Sequence, residues 1–151
     1  MVGEAAINFI LKDQSGNDWE LFKNLNQDVL MVFYPKDDTF VCSRQLKNYN
    51  DNLELFKSSG ISPVGVNAGT AESHKAFCNK LELNFPLLAD NNKDVSKIYN
   101  ALNPFGSNKR RLVLINRQKQ IAFEKDVFSL SFPAAKTIIK SFNQLNLIKL
   151  T

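Results

Sequence analysis

The chain has 151 residues, ordinary proportions of apolar and charged side chains, and a formal net charge of +4. This length favours a single domain, residues 1–151, with a core large enough to be stable without disulfide bonds. No apolar run approaches the roughly 20 residues that span a bilayer, and two cysteines do not suit a secreted disulfide scaffold. The first residues lack the basic start and apolar core of an export signal, so we expect a cytoplasmic location.

Basic residues concentrate in the second half, where residues 76–151 hold 12 basic and 5 acidic side chains. The densest cluster is Lys109-Arg110-Arg111. A nucleic-acid surface would need stacking or groove-reading elements beside these charges, and none of the usual motifs is present. We interpret the cluster as a solvated basic loop around one functional arginine, and we expect no nucleic-acid or membrane partner.

In chain order, residues 1–28 are predicted to form an irregular N-terminal segment with one or two short edge strands around a turn. The apolar run Val29–Tyr34 is typical of a strand that is buried on both faces. Pro35 ends this strand, and the polar turn after it predicts a helix from about Phe40. Gly60 is the stop signal of that helix.

The second half of the chain continues the alternation of strands and helices. Ile61–Val66 reads as a second core strand, in which Pro63 lacks a ladder donor, so we expect Pro63 at the start of the strand. A helix follows from Gly69-Thr70 to about Leu83. The later elements are a short helix at 93–99, a loop at 100–108, strands at 112–115 and 121–128, and a helix from Ala134 to about Leu147. Periodicity alone gives the α/β class.

Cys42 is predicted to lie in the first turn of the helix that follows the central strand. Backbone N–H groups there have no helical partner, and their partial positive charge favours an anion such as a thiolate, the nucleophilic form of cysteine. Thr39 can place a hydroxyl beside the sulfur from three residues back. The alternative is a buried structural cysteine, because cysteine is among the most buried residue types.

These residues also carry a resemblance to a known family. The peroxiredoxins of the AhpC/TSA superfamily have an active-site signature that resembles Pro35-x-x-x-Thr39-x-x-Cys42. Their PrxQ, or bacterioferritin comigratory protein, subgroup has a version similar to Phe33-Tyr34-Pro35-Lys36-Asp37-Asp38-Thr39. The resemblance covers nearly the whole chain but departs at Phe40-Val41, where PrxQ proteins usually have Pro-Gly. It implies a thioredoxin-like α/β fold, with a central mixed sheet flanked by helices and an N-terminal hairpin extension.

The resemblance implies a thiol-dependent peroxidase that reduces hydrogen peroxide and organic hydroperoxides. Cys42 would attack the peroxide and become a sulfenic acid, while Thr39 and an arginine bind the sulfur and the peroxide oxygens and Pro35 shields the sulfur. Aligning the strand at 112–115 with the family places that arginine at Arg110, and a slip of one residue would make it Arg111. Gln45, where the family often has glutamate, is expected to hydrogen-bond near the arginine.

Two routes remain open for the reduction of the sulfenic acid. The usual resolving cysteine of PrxQ proteins corresponds to Lys47 here, so that route is closed. A second PrxQ class resolves through a cysteine on the next long helix, where Cys78 falls. The resemblance to that class implies a disulfide between Cys42 and Cys78. Otherwise Cys78 is a core residue and an external thiol resolves Cys42. The resemblance implies a thioredoxin-like or glutaredoxin-like protein as the reductant. No cofactor or metal is expected. We expect the protein to be a monomer or weak homodimer.

Two other functions compete with the peroxidase. A thioredoxin-type disulfide oxidoreductase is disfavoured because the chain has no Cys-x-x-Cys motif. A non-catalytic redox sensor or interaction module would follow if Phe40-Val41 blocked the pocket. His74, the single histidine, has no partner at ligand spacing and is expected at the surface rather than in a metal site.

Overall fold

A seven-stranded mixed sheet forms the centre of the protein in the computed structural model, which describes residues 1–128 and 130–145. In this described part the strands are β1 (Ile10–Lys12), β2 (Asp18–Glu20), β3 (Asp28–Phe33), β4 (Ile61–Asn67), β5 (Leu87–Ala89), β6 (Arg111–Ile115) and β7 (Ile121–Asp126). Their spatial order is β2-β1-β5-β4-β3-β6-β7. The pair β3–β4 is parallel, as is β4–β5, and the other pairs are antiparallel.

Helices cover both faces of the sheet. In the same described ranges they are α1 (Phe40–Asp51), α2 (Leu53–Ser58), α3 (Ala71–Leu81), α4 (Asp94–Ile98) and α5 (Ala135–Gln144), with a 3₁₀ turn at Phe22–Asn24. Apolar residues of α1, α2, α3 and α5 form one core cluster, and the N-terminal segment and α4 contribute to the other. None of these helices has the length and apolar character needed to cross a bilayer.

The central strand β3 is buried on both faces, as its unbroken apolar sequence predicts. Leu30 and Val32 belong to the cluster beneath α1 and α3, whereas Val29, Met31 and Phe33 belong to the cluster on the opposite face. Alternation of side chains along the strand therefore supplies both cores from one short segment. The carboxyl end of β3 lies at the middle of the sheet and leads directly into the loop before α1.

Pro63 lies inside a central strand, so the expectation that it starts the strand is wrong. It is the third residue of β4 and lies opposite Leu30 of β3. The amide of Gly65 donates to the carbonyl of Pro86 on the β5 side, and alternation directs the Pro63 nitrogen to that same side. Pairing of β4 with β5 begins only at Gly65 and Leu87. In the described sheet no β5 residue therefore pairs with Pro63, and its missing N–H costs no hydrogen bond between strands.

Other boundaries differ in detail from the sequence prediction. The long helix after the central strand is interrupted at Asn52, which separates α1 from α2. Leu87–Ala89, which the sequence pattern does not predict as a strand, pairs with β4 and, through Ala89, with Lys12 of the N-terminal hairpin. The expected end of the last helix near Leu147 lies outside the described residues. The hairpin β1–β2 is present as expected.

Candidate active site

Cys42 is the third residue of α1, at the carboxyl end of β3. Thr39 is the N-cap, with extended backbone angles, and its carbonyl accepts the helical hydrogen bond from Ser43 N at 2.9 Å. Cys42 is only 1% exposed. Its sulfur therefore lies in the first turn, where unpaired backbone N–H groups create a partial positive charge.

Arg110 brings a permanent positive charge to this sulfur. β6 runs antiparallel to β3, with Arg111 opposite Phe33, so the residue before the strand reaches the carboxyl end of β3. The Arg110 Nη2 atom donates to Cys42 Sγ at 3.4 Å, and the side chain is buried, with the residue 2% exposed. Arginine suits this position because its guanidinium cannot be deprotonated in proteins and offers several donors in a fixed geometry.

A buried chain of hydrogen bonds holds the guanidinium in place. Arg110 Nη1 donates to Gln45 Oε1, and Gln45 Nε2 donates to the hydroxyl of Tyr49 at 3.2 Å. That hydroxyl in turn donates to the carbonyl of Pro133 at 2.8 Å. Burial raises the pKa of Tyr49, so the phenol stays neutral and keeps its proton for this bond. Gln45 and Tyr49 lie one turn apart on α1, which makes the support of Arg110 part of the same helix that carries Cys42.

Arg111 faces the other side of the sheet. Its Nε donates to the carbonyl of Tyr99 at 2.9 Å, and its Nη1 donates to Asp126 Oδ1 at 2.7 Å. Its Nη2 pairs with Glu124. Of the two arginines that the sequence left open, the structure brings Arg110 to Cys42. The interpretation of this cluster as a solvated basic loop is wrong, because both arginines are buried.

Pro35 and Thr39 lie at the two ends of the loop that leads to Cys42. Both are half-buried, and the Thr39 hydroxyl donates to the carbonyl of Lys36 at 3.0 Å, which leaves its oxygen lone pairs as acceptors. Asn67 anchors the start of the loop, because its Nδ2 donates to the carbonyls of Tyr34 at 2.7 Å and Pro35 at 2.9 Å. Asn67 has no predicted role in the sequence, although a polar residue at the end of an apolar strand is a usable signal.

Cys78 lies near the end of α3 and belongs to the same apolar cluster as Cys42. Both are free thiols. Burial raises the pKa of Cys78 to about 12, with smaller contributions from the negative charges of Asp37 and Asp13. Since the thiolate is the reactive form, Cys78 is a weak nucleophile while α3 keeps this conformation.

His74 is fully buried, so its expected position at the surface is wrong. It lies on the same face of α3 as Phe77 and Cys78, three and four residues later, and this face packs on the sheet. Its Nδ1 is 2.6 Å from Asp37 Oδ2. Helical periodicity could have indicated its burial, but a buried histidine needs a polar partner, and Asp37 lies far away in the sequence. No group of three or more potential metal ligands is found among residues 1–128 and 130–145.

Phe40, one of the two residues that replace the usual Pro-Gly, does not fill the interior. The residue is 75% exposed, and the Arg44 guanidinium carbon lies 5.6 Å from the ring centroid. The arrangement is a cation–π contact at the surface. An exposed ring does not support the idea that Phe40 blocks the site around Cys42.

The AhpC/TSA family pattern matches residues 2–124, and the chain belongs to this family. Peroxiredoxin Q, chloroplastic, from Sedum lineare is 42% identical over 89 residues, which are 59% of this chain and 48% of that protein. The chain thus spans about half the length of the curated relatives it matches. The recognition of a PrxQ-type peroxiredoxin is confirmed.

Solved structures confirm the thioredoxin-like fold. Peroxidoxin BcpB from Mycobacterium tuberculosis superposes with a TM-score of 0.86 at 21% identity, covering 98% of this chain and 97% of that one. A mutant of PrxQ from Xylella fastidiosa gives 0.84 at 22% identity, covering 97% and 96%. Identities this low show a shared fold and leave the activity to be argued from the site.

The expectation of a cytoplasmic location is wrong by this comparison. The curated relatives are named chloroplastic, and at about 40% identity they point to the plastid rather than the cytoplasm. The expectation rested on the lack of an export signal, and that criterion does not separate the cytoplasm from the interior of an organelle.

Proposed function

We propose that this protein is a thiol-dependent peroxidase in which Cys42 reacts with hydrogen peroxide and organic hydroperoxides. The observation that carries the proposal is the Cys42 sulfur in the first turn of α1, with the buried cation of Arg110 at 3.4 Å. A helix N-terminus and a guanidinium both favour the thiolate, and the thiolate is the nucleophile. Membership of the AhpC/TSA family supports the same chemistry.

In the first step the sulfur attacks one oxygen of the peroxide. The Cys42 thiolate donates an electron pair, a sulfur–oxygen bond forms and the O–O bond breaks. The leaving oxygen takes a proton and departs as water or an alcohol, and Cys42 is oxidised to a sulfenic acid. Negative charge moves from sulfur to the leaving oxygen, and Arg110 is positioned to stabilise that shift by donating hydrogen bonds. The Thr39 hydroxyl, whose own proton is donated to Lys36, accepts a hydrogen bond from the O–H of the peroxide. Pro35 limits access of water to the sulfur.

In the second step Cys78 resolves the sulfenic acid. The Cys78 sulfur attacks the Cys42 sulfur, a disulfide forms and the hydroxyl group leaves as water. Two observations support this role: Cys78 shares a core cluster with Cys42, and α3 ends just after it, with Glu82 in the left-handed conformation. We expect the last turn of α3 and the first turn of α1 to unwind when the two sulfurs meet.

The buried state of Cys78 keeps the one-cysteine alternative open. A thiol whose pKa is raised to about 12 reacts slowly until it is exposed, and an external thiol can resolve Cys42 instead. In either cycle a thioredoxin-like or glutaredoxin-like dithiol is the proposed electron donor. We further propose that the chain acts as a single domain, as a monomer or weak homodimer, without a cofactor.

The test is the second-order rate constant of the reduced protein with hydrogen peroxide, measured by rapid quench and mass spectrometry. Wild type should react orders of magnitude faster than free cysteine, and Cys42→Ser should not turn over. Cys78→Ser should still form the sulfenic acid but should stall there with thioredoxin as donor. A wild-type rate equal to that of free cysteine contradicts the peroxidase and leaves a redox sensor or interaction module.

A further inference from the structure

His74 and Asp37 form a buried ion pair between α3 and the loop that precedes Cys42. The Nδ1 atom of His74 is 2.6 Å from Asp37 Oδ2, and its Nε2 is 3.1 Å from the carbonyl oxygen of Leu88. Carboxylate and carbonyl oxygens only accept hydrogen bonds, so both ring nitrogens of His74 face acceptors. The doubly protonated ring satisfies both acceptors, and the carboxylate of Asp37 balances the charge of that form.

Asp37 is the centre of this arrangement. Besides His74, its carboxylate accepts hydrogen bonds from the hydroxyls of Tyr34 at 2.6 Å and Ser73 at 2.7 Å. Burial alone would raise the pKa of Asp37, but hydrogen bonds from His74, Tyr34 and Ser73 outweigh burial and lower it. The carboxylate therefore stays ionised, with three polar partners contributed by the end of β3 and the first turn of α3.

The ion pair connects the two cysteines of the proposed cycle. Asp37 lies in the loop Pro35–Thr39, which ends at Thr39, the N-cap of α1, three residues before Cys42. His74 lies one turn before Cys78, on the same face of α3. One carboxylate thus holds the loop that orients the peroxide site against the helix that buries the second thiol.

We propose that Asp37 and His74 are positioning residues, and that opening of their ion pair is the local event that exposes Cys78. While the pair is closed, the loop keeps Thr39 and Pro35 in place and α3 keeps Cys78 buried. When it opens, α3 is released from the loop and Cys78 becomes accessible to Cys42. The effect on catalysis rests on the proposed function, whereas the exposure of Cys78 does not.

A second ion pair between the same two elements provides a matched control. Lys80 of α3 donates to Asp38 at 2.6 Å, and both side chains are exposed. Asp38 has a positive φ of 58°, which asparagine also adopts readily, so Asp38→Asn removes the charge without straining the backbone. Exposed pairs contribute little, and we expect less than about a 3-fold effect from this variant.

The test measures the rate at which iodoacetamide alkylates Cys78 in the reduced protein. A Cys42→Ser background leaves Cys78 as the only thiol, and labelling is followed by mass spectrometry. We expect Asp37→Asn to accelerate labelling about 100-fold, because an amide with one oxygen cannot accept the three hydrogen bonds that the carboxylate takes from His74, Tyr34 and Ser73. Ser73→Ala removes one neutral donor and should accelerate labelling about 3- to 10-fold, which keeps the test available if Asp37→Asn does not fold.

Denaturant separates local opening from general loss of stability. Opening of α3 and the loop exposes little surface, so the accelerated labelling should hardly change with urea below the unfolding transition. Labelling through global unfolding would instead rise with urea along the full slope measured for unfolding. That second behaviour overturns the proposal, as does an unchanged labelling rate or an equal acceleration by Asp38→Asn.

A second arm measures the peroxide reaction of Cys42 in a Cys78→Ser background. Asp37→Asn should slow it about 10-fold, since a displaced loop no longer aligns the groups that stabilise the shifting charge. Asp38→Asn should leave it unchanged. Equal rates for both variants and the parent overturn the positioning role. A parent protein that fails to react contradicts the proposed function instead, and the alkylation arm still decides whether the ion pair controls Cys78.

Discussion

Replacement of Arg110 by alanine is the perturbation most closely tied to the geometry of the site. The guanidinium lies 3.4 Å from Cys42 Sγ, and two unit charges at that distance interact by about 5 kcal/mol at an effective dielectric constant of about 20. This is an upper limit, because the negative charge begins on sulfur and ends on the leaving oxygen. Loss of one preorganised donor to a developing charge costs about 10²–10³ in rate, or about 2.7–4 kcal/mol. We therefore expect Arg110→Ala to react with hydrogen peroxide about 10²–10³ times more slowly.

The assay is the rate constant of sulfenic acid formation, measured by rapid quench with a sulfenic acid trap. Arg110→Lys keeps the charge but cannot bind Gln45 and the sulfur with one rigid fork, so a loss of about 10-fold is expected. Arg111→Ala is the matched control, since it removes a neighbouring buried arginine on the opposite face. It should reduce stability by removing the buried cation that pairs with both Glu124 and Asp126, while the peroxide rate stays within about 3-fold.

The reasoning is refuted if Arg110→Ala retains the wild-type rate. It is equally refuted if Arg111→Ala slows the reaction as much as Arg110→Ala does, because the effect would then follow from stability rather than from the contact with Cys42. Circular dichroism and urea unfolding of each variant establish which of these applies.

Three further predictions concern other groups around the site. Thr39→Val should slow the peroxide reaction about 10- to 100-fold while Thr39→Ser stays within about 3-fold, since only the hydroxyl is needed; equal rates for all three proteins would contradict this. Because the pKa of Asp37 is lowered on folding, its ionised form stabilises the protein above about pH 4 and this contribution is lost as the pH falls through the folded value. The difference in unfolding free energy between wild type and Asp37→Asn, measured with urea, should therefore shrink below pH 4, and a constant difference would contradict it. Because burial raises the pKa of Cys78 to about 12, folded protein should lose stability as the pH rises above about 9, and Cys78→Ser should lose less; parallel profiles would contradict the assignment.

The central strand and the position of Cys42 could be predicted because both depend on local sequence. An unbroken apolar run, a proline and a polar turn fix where β3 ends and α1 begins. The third residue of the helix then follows by counting. Tertiary contacts were not needed for any of these steps.

The choice between Arg110 and Arg111 needed the register of β6. One residue of shift moves a side chain to the other face of the sheet, and sequence pattern alone does not fix which face meets α1. The pairing of Phe33 with Arg111 decides it, and it sends Arg110 toward Cys42. The resemblance to the family gives the same alignment without the pairing.

His74 and Pro63 were misplaced because long-range partners determine their environments. A histidine on the apolar face of a helix is stable only if a distant group satisfies it, and here that group is Asp37, 37 residues earlier. Pro63 is tolerated in a central strand because pairing with β5 starts two residues later. Neither condition can be read from residues adjacent to the position itself.

The most direct test of the account is the thiol state after one equivalent of hydrogen peroxide is added to fully reduced protein. Mass spectrometry of the rapidly alkylated sample distinguishes free thiols, sulfenic acid and disulfide. The account predicts fast loss of both thiols and a cross-linked peptide that contains Cys42 and Cys78. Oxidation confined to Cys42 would contradict the resolving role of Cys78 and favour the one-cysteine cycle. Loss of neither thiol faster than free cysteine would contradict the peroxidase itself.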